Sequence, residues 1–355
     1  MKVAIIGDIH IGSRNDNLRF AEFHISFFTK LLIPYLIKHN INRAIFMGDI
    51  FDRRKFINFT TLDKWKNEVF DLFYRHKITL DIIIGNHDTA FKNSNEVNSP
   101  SLLLSEYDNI RIFSGPEIVF LDNTEVLYVP WINIGNETET FDLVKKTKAT
   151  VAMGHFEFSG FQMYADHKNE DGMTKEKFKN FEMILSGHYH HKSDDGQIFY
   201  VGTPYEIIWS DFGSPHGFHI LDSDSLELAY IENPNRMFYR TVYDDSSDED
   251  YHNKIDYTIF CDKFVKVVVL SKTNLSGFDT FLNKLYNKNP AEVKIIEDMQ
   301  DFNKDQDEEE SNIELEDTQS ILDSYIDAAD FSHDKSRLKK MIRGLYLDAL
   351  NVESV

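Results

Sequence analysis

The sequence predicts an α/β fold: two facing mixed β-sheets flanked by helices, then a small α+β unit and C-terminal helices. Three observations carry this. Over the first two hundred residues, short apolar runs alternate with amphipathic stretches of helical period, the rhythm of βαβ units. From Ile110 the apolar runs crowd together, as strands of a second sheet would. Five buried runs end in glycine followed at once by Asp, Asn or His, which puts polar groups at strand mouths, where open α/β sheets bind ligands.

The elements follow in order. "KVAIIG" reads as a strand, 19–39 as a helix, "RAIFMG" as a strand, 61–76 as a helix and "LDIIIG" as a strand. "IRIF", "EIVFL" and "EVLYVPW" are closely spaced strands, followed by a helix near 137–147. "ATVAMG" and "FEMILSG" resemble the earlier buried runs, and "GQIFYVGTP", "GFHIL" and "LELAYI" read as antiparallel strands. A large first domain is therefore expected over 1–236. A smaller unit over 237–296 has "FVKVVVL" as a strand, a helix at 276–287 and "AEVKII" as its closing strand.

Between Glu297 and Asp317 eleven acids stand against one lysine, which favours a solvated linker over 297–317. Two amphipathic stretches fill 318–355. Ile321, Leu322, Tyr325, Ala328 and Ala329 share one helical face, as do Leu338, Met341, Ile342, Leu345, Tyr346 and Ala349. No internal repeat is present.

With 355 residues and 42% hydrophobic content, the chain can bury a substantial core. Its one cysteine, Cys261, excludes disulfides within the chain and a thiolate zinc site, so any metal must use His, Asp, Asn or Glu. No apolar run of eighteen residues and no secretory leader is evident, so a soluble cytoplasmic protein without a membrane span is expected. The net charge of −21 weakens a nucleic-acid reading without excluding it. The linker and "DDSSDED" at 244–250 hold −15 of that charge, and bound divalent cations would change the local sign.

The strand-end blocks are "GDIH" at 7–10, "GDIFD" at 48–52, "GNHD" at 85–88, "GH" at 154–155 and "GHYH" at 187–190. Each glycine is expected to let the backbone turn sharply. A lone Gly-Asp is ordinarily just a turn, and a lone histidine a satisfied core residue; five such blocks in order are a different matter. In "DIH" and "HYH" two ligands stand two residues apart, on one face of an extended segment. Asp8, His10, Asp49, Asn86, His155, His188 and His190 are too many ligands for one ion and suit two ions sharing a carboxylate. Oxygen and imidazole donors favour two Mn(II), with Mg, Fe or Zn as substitutes. Such a pair can clamp a phosphoryl group, activate water and stabilise the leaving oxygen. That leaves His87 unassigned.

These blocks resemble those of the calcineurin-like metallophosphoesterase superfamily, and their order and spacing are similar to the SbcD-type recombination nucleases that pair with an SbcC-like SMC-type ATPase. "GDIFDRRK", "VPW" at 129–131, "GTPYEI" and the terminal "SILDSYIDAA" look most like the nuclease subunit of large tailed phages, so a bacterial host cytoplasm is implied. The resemblance implies a calcineurin-like sandwich, with Asp8, His10 and His190 on one manganese, Asn86, His155 and His188 on the other, and Asp49 bridging. It implies that His87 is a catalytic histidine oriented by Asp88. Asp52 stands where some cellular relatives carry a second active-site histidine. It reads either as a group orienting His87 or an incoming strand, or as a helix-start acid.

The sequence contains no GxxxxGK[ST] pattern, so ATP hydrolysis is expected on another chain. The resemblance implies that the terminal helix docks there through Leu338, Met341, Ile342, Leu345 and Tyr346. It also implies a homodimer, with Leu62, Trp65, Val69, Phe73 and 102–104 as contacts or as ordinary core, and a capping unit that meets DNA, with Lys263, Lys266 and Lys272 as supporting cations. The expected activity is a DNA nuclease, a 3'-to-5' double-strand exonuclease and single-strand endonuclease for double-strand-break processing in repair and recombination. A phosphoprotein or nucleotide phosphatase of the same superfamily, and a non-catalytic DNA- or ATPase-binding scaffold, are the competing readings.

Overall fold

The computed structural model describes residues 1–164, 167–169, 172–246 and 253–297, with single helical positions at 326, 335, 338, 339, 341, 342 and 345. It divides into two compact units: 1–207 with 213–235, and 208–212 with 236 onward. Ile208–Phe212, expected with the first domain, thus groups with the second.

The first unit holds two six-stranded sheets. In one, Lys2–Ile6, Arg43–Phe46, Thr79–Ile83 and Ile110–Phe113 run parallel, and Gly217–Asp222 and Leu228–Glu232 extend it antiparallel on the Lys2–Ile6 side. In the other, Thr124–Val129, Val151–Gly154, Met183–Ser186 and Ile198–Tyr200 run parallel, with Glu117–Leu121 antiparallel at one edge and Ser193–Asp194 at the other. "GQIFY", expected to be antiparallel, therefore runs parallel to its main partner Met183–Ser186. Parallel pairing suits strands that are apolar on both faces, as "MILS" is.

A common core made by both sheets includes Val3, Ile5, Ile45, Met47, Val126, Met153 and Leu185. A second core, with Phe156, Phe158, Phe178 and Tyr200, covers the outer face of the second sheet. Asp81 interrupts the apolar run "LDIII" and is fully buried, yet its carboxylate takes both Arg43 and Arg111 and the Tyr128 hydroxyl. Two cations and a hydrogen bond make that burial tolerable.

A continuous helix, Leu18–Lys38, is long and apolar enough by length and composition to cross a membrane. Half of its most apolar window is buried, and Phe20, Phe27, Phe28, Leu32 and Leu36 belong to the protein core. The helical stretch from Phe59 to Arg75 buries Trp65, Val69 and Phe73 completely, and Leu104 is buried too. Of the two readings of these four, dimer contact or ordinary core, their burial favours the core; helical spacing marks an apolar face but not the neighbour that covers it. Leu102 alone of that set is strongly exposed, at 69%.

The second unit pairs Phe238–Asp244, Phe264–Ser271 and Glu292–Ile296 in parallel, with helix Leu275–Tyr286 packed through Phe278, Phe281 and Leu285. Lys266 is buried here with its ammonium 4.3 Å from the Trp209 ring centroid, and Lys272 pairs with Glu297 at 2.7 Å. Lys266 is accordingly a packing cation and not a surface one. Apart from Glu297 the acidic linker lies outside the described residues, as do Ile321, Leu322, Tyr325, Ala328, Ala329, Tyr346 and Ala349; Ile326 is helical and buried.

Candidate metal centre

The five glycine-led strand ends converge. Asp8, His10 and His190 bring one ligand atom each within 4.8 Å of one another, and Asp49, His155 and His188 form a second such group. Asp49 Oδ2 stands 3.3 Å from His155 Nε2 and 3.9 Å from His10 Nε2, between the two groups. Asn86 Oδ1 lies 2.9 Å from His155 Nε2 and 3.2 Å from His188 Nδ1, which attaches it to the second group. His10 and His190 face each other through their Nε2 atoms at 3.2 Å. All seven predicted ligands are thus brought together.

Backbone groups hold these side chains in place. The His87 amide donates to Asp49 Oδ1 at 2.8 Å, and the His188 amide donates to both oxygens of Asp8. His155 Nδ1 donates to the Met47 carbonyl at 2.8 Å, which turns Nε2 toward the centre as the atom that would ligate a metal. Sequence reasoning missed Met47 in this role, because a carbonyl acceptor has no side-chain signature.

The glycines are explained by proximity more than by turning. A Cβ on Gly85 would lie 2.2 Å from Asp49 Oδ1, one on Gly48 2.2 Å from His155 Nδ1, and one on Gly187 2.5 Å from Asp8 Oδ1. Each leaves room for a ligand belonging to another strand. Only Gly48 among the five block glycines has a left-handed φ, of 105°. The left-handed backbone falls instead on the ligands themselves: His10 at φ 44°, Asp49 at 49° and His188 at 83°. Non-glycine residues there are strained, and such strain concentrates at functional sites.

The roles expected for Asp88 and Asp52 change. Asp88 is buried, and its carboxylate accepts the amides of Ile50, Phe51 and Gly85 at 2.9–3.1 Å. It therefore ties the Asp49 loop to the Gly85 strand end and does not orient the His87 ring. His87 Nδ1 bonds the main-chain carbonyl of Asp52 at 2.6 Å, and its ring meets His10 edge-on at a centroid distance of 4.8 Å. The Asp52 side chain reaches His10: Oδ1 is 3.4 Å from Nδ1, ion-pair range without hydrogen-bond alignment. Asp52 thus serves His87 through its backbone and His10 through its carboxylate.

The electrostatics call for cations. Burial disfavours charge on His10, yet the Asp52 and Asp49 carboxylates outweigh it and raise its pKa to about 10. His155 likewise rises to about 9, the Asp49 and Asp8 charges overcoming burial. Burial pushes Asp8 up against the pull of His155, whereas Asp49 is held well below the usual range, its burial outweighed by His155 and His87. Burial followed by the Asp49 charge raises Asp88 to about 7. Protons on imidazoles thus supply the positive charge that three buried or half-buried carboxylates demand. Two divalent ions on the same nitrogen and oxygen atoms would supply it better, and the thiolate-free donor set fits hard to borderline metals.

A dimetal-type cluster at the shared rim of two mixed sheets defines a metallophosphoesterase. The calcineurin-like phosphoesterase family matches residues 1–192, and the chain belongs to it, a hydrolase of phosphoester bonds. Over 352 residues the chain is 29% identical to "Exonuclease subunit 1" of Enterobacteria phage T4, covering 98% of this chain and 99% of that one. It is 26% identical to "DNA double-strand break repair protein Mre11" of Sulfolobus acidocaldarius over 55% of this chain and 51% of that one. A solved dimetal phosphatase from Danio rerio aligns with 62% of this chain and 91% of its own length, at 11% identity and a TM-score of 0.41.

Proposed function

We propose that this chain is the nuclease subunit of an SbcC/SbcD-like complex, a Mn(II)-dependent DNA phosphodiesterase that processes double-strand ends in the host cytoplasm. The observation that carries the reading is the Asp49 carboxylate standing between two ligand groups with His87 fixed beside them. Near full-length similarity to a protein named as an exonuclease subunit supports DNA as the substrate and a second subunit as the partner. Both double-strand exonuclease and single-strand endonuclease activity belong to the proposal.

When bound, two divalent ions clamp the phosphoryl oxygens and lower the pKa of water. Asp8, His10 and His190 would hold one, Asn86, His155 and His188 the other, and Asp49 both. His87, with Nδ1 anchored on the Asp52 carbonyl, presents Nε2 as the atom for stabilising charge on the departing sugar oxygen or protonating it. Asp52 steadies His10, and Asp88 keeps the Asp49 loop in register with the Gly85 strand end.

The C-terminal positions Lys335, Leu338, Lys339, Met341, Ile342 and Leu345 are helical, with Met341 and Leu345 58% and 61% exposed. An apolar stripe facing solvent beside lysines supports docking in a groove of the ATPase. A homodimer would use exposed Leu102 and its neighbours.

The test is digestion of a labelled linear duplex by wild type and His87→Ser, each with Mn(II) or EDTA, alongside a metal count. Cutting by wild type, with His87→Ser binding two equivalents of metal but slowed at least a hundredfold, supports the reading. Intact DNA with brisk hydrolysis of a phosphoserine peptide would move the function to a phosphatase.

A further inference from the structure

A cavity of about 560 Å³ opens beside the metal centre, and His155 belongs to both. Its walls are largely aromatic and apolar, with Trp131, Phe141, Phe156 and Met173 prominent. Trp131 reaches toward the ligands: its ring centroid is 5.3 Å from that of His188 and 6.0 Å from that of His155. A phosphate held at the ligand groups would therefore stand within one nucleotide's reach of an apolar recess.

Hydrogen bonds on both sides of Trp131 fix its main chain at the edge of the recess. The Trp131 amide donates to the Ile84 carbonyl at 2.8 Å, and its carbonyl accepts the side-chain amides of Asn95 and Asn136, both at 2.9 Å. Asn133 closes the set by donating to Asn95 Oδ1 at 2.7 Å. Three asparagines thus brace the main chain of the short loop from which the indole projects. Lys177 lies 3.7 Å from the Phe141 ring centroid and 3.9 Å from Glu137, and Glu157 also lines the cavity, so charged groups stand beside the aromatic surface. Flat aromatic surface with a polar rim is the chemistry that accepts a nucleobase, which stacks by its face whatever its identity.

We propose that this cavity is a nucleobase subsite: it receives the base of the nucleotide carrying the scissile phosphate, unstacked from its neighbour, with Trp131 as the stacking platform. The inference rests on the nuclease reading and sharpens it. A base seated there has left the duplex stack, so the site selects unpaired or fraying nucleotides, and the energy of unpairing is offset by stacking on the indole.

The experiment compares kcat/KM for a single-stranded oligonucleotide with that for the same strand made abasic at the cleaved nucleotide. Wild type should prefer the intact strand by roughly tenfold, the loss expected for one base stack. Trp131→Ala should bring the ratio near one whatever its absolute rate, Trp131→Phe should restore part of it, and Met173→Trp, which fills the cavity from another wall, should also collapse it. A wild-type ratio near one, or a ratio that Trp131→Ala and Met173→Trp leave unchanged, overturns the subsite. Failure of wild type to cut either strand with Mn(II) would instead overturn the nuclease reading beneath it. Metal content measured on each variant separates loss of the stack from loss of the ions.

Discussion

Replacing Gly85 by alanine should disable the site although glycine carries no chemistry. The new Cβ would lie 2.2 Å from Asp49 Oδ1 and 2.3 Å from the Asp49 amide nitrogen. Ordinary contact needs about 3.4 Å, so the Asp49 segment must retreat by roughly 1 Å, and a shift of that size at a reacting centre lowers rate by about a hundredfold. Stability should fall by about 1–3 kcal/mol, or roughly 2–4 °C in Tm for each kcal/mol in a unit of this size. Gly115→Ala is the control, since nothing stands within 4 Å of its Cβ. The assay is the kcat of duplex digestion with the metal count and a thermal melt. Gly85→Ala with native rate and two bound metals would show that the strand ends do not approach as described, and the explanation of all five glycines would go with it.

Asp52→Asn should weaken metal binding by about 10–100-fold, because His10 loses the carboxylate that fixes it, while the rate at saturating metal changes far less; titration calorimetry with Mn(II) reads the affinity and a digestion assay at saturating Mn(II) the rate. Asp88→Asn turns a donor toward the Gly85 amide, removing one charge-assisted bond and opposing two N–H groups, so a loss of about 2–3 kcal/mol is expected in denaturant melts. His219 supplies a pH dependence away from the metals. It is buried with Nδ1 unpartnered, and burial, reinforced by Lys192, lowers its pKa from 6.5 to about 4. The folded state keeps it neutral while the unfolded chain protonates near 6.5, so its contribution is complete above 6.5 and is lost as pH falls toward 4. At about 1.4 kcal/mol per pH unit the loss approaches roughly 3 kcal/mol. His219→Phe should lose that much less stability than wild type between pH 7 and pH 4; parallel acid profiles would refute it.

The ligand set was legible because metal chemistry demands side chains of few types and the strands end where those types begin. Asp8 and His10, or His188 and His190, were marked by their two-residue spacing, but the backbone there is bent and left-handed at His10 and His188 and not extended, and His188 and His190 fall in different ligand groups. What lay outside the sequence was everything set by contact across strands. Gly85 looked like a turn residue, and only the packed sheet reveals Asp49 filling the space beside it. Asp88 was assigned to its sequence neighbour His87, whereas its partners are the amides of Gly85 and of Ile50 and Phe51, almost forty positions away. Trp65, Val69 and Phe73 showed the correct period, yet a periodic face fits a sheet as well as a second subunit. Trp131 was visible in "VPW", but the asparagines that steady it are spread over 95–136.

The left-handed backbone at His10, Asp49 and His188 carries a lesson for anyone who wishes to improve this protein. Each such position holds something on the order of 1–3 kcal/mol that a glycine, or an asparagine in some contexts, would release. A screen rewarding heat resistance alone will drift toward these sites and return hardy, inert molecules. Thermal engineering should therefore begin at the exposed periphery, at Phe56 and Phe59 for example, and leave the three uncomfortable ligands as they are.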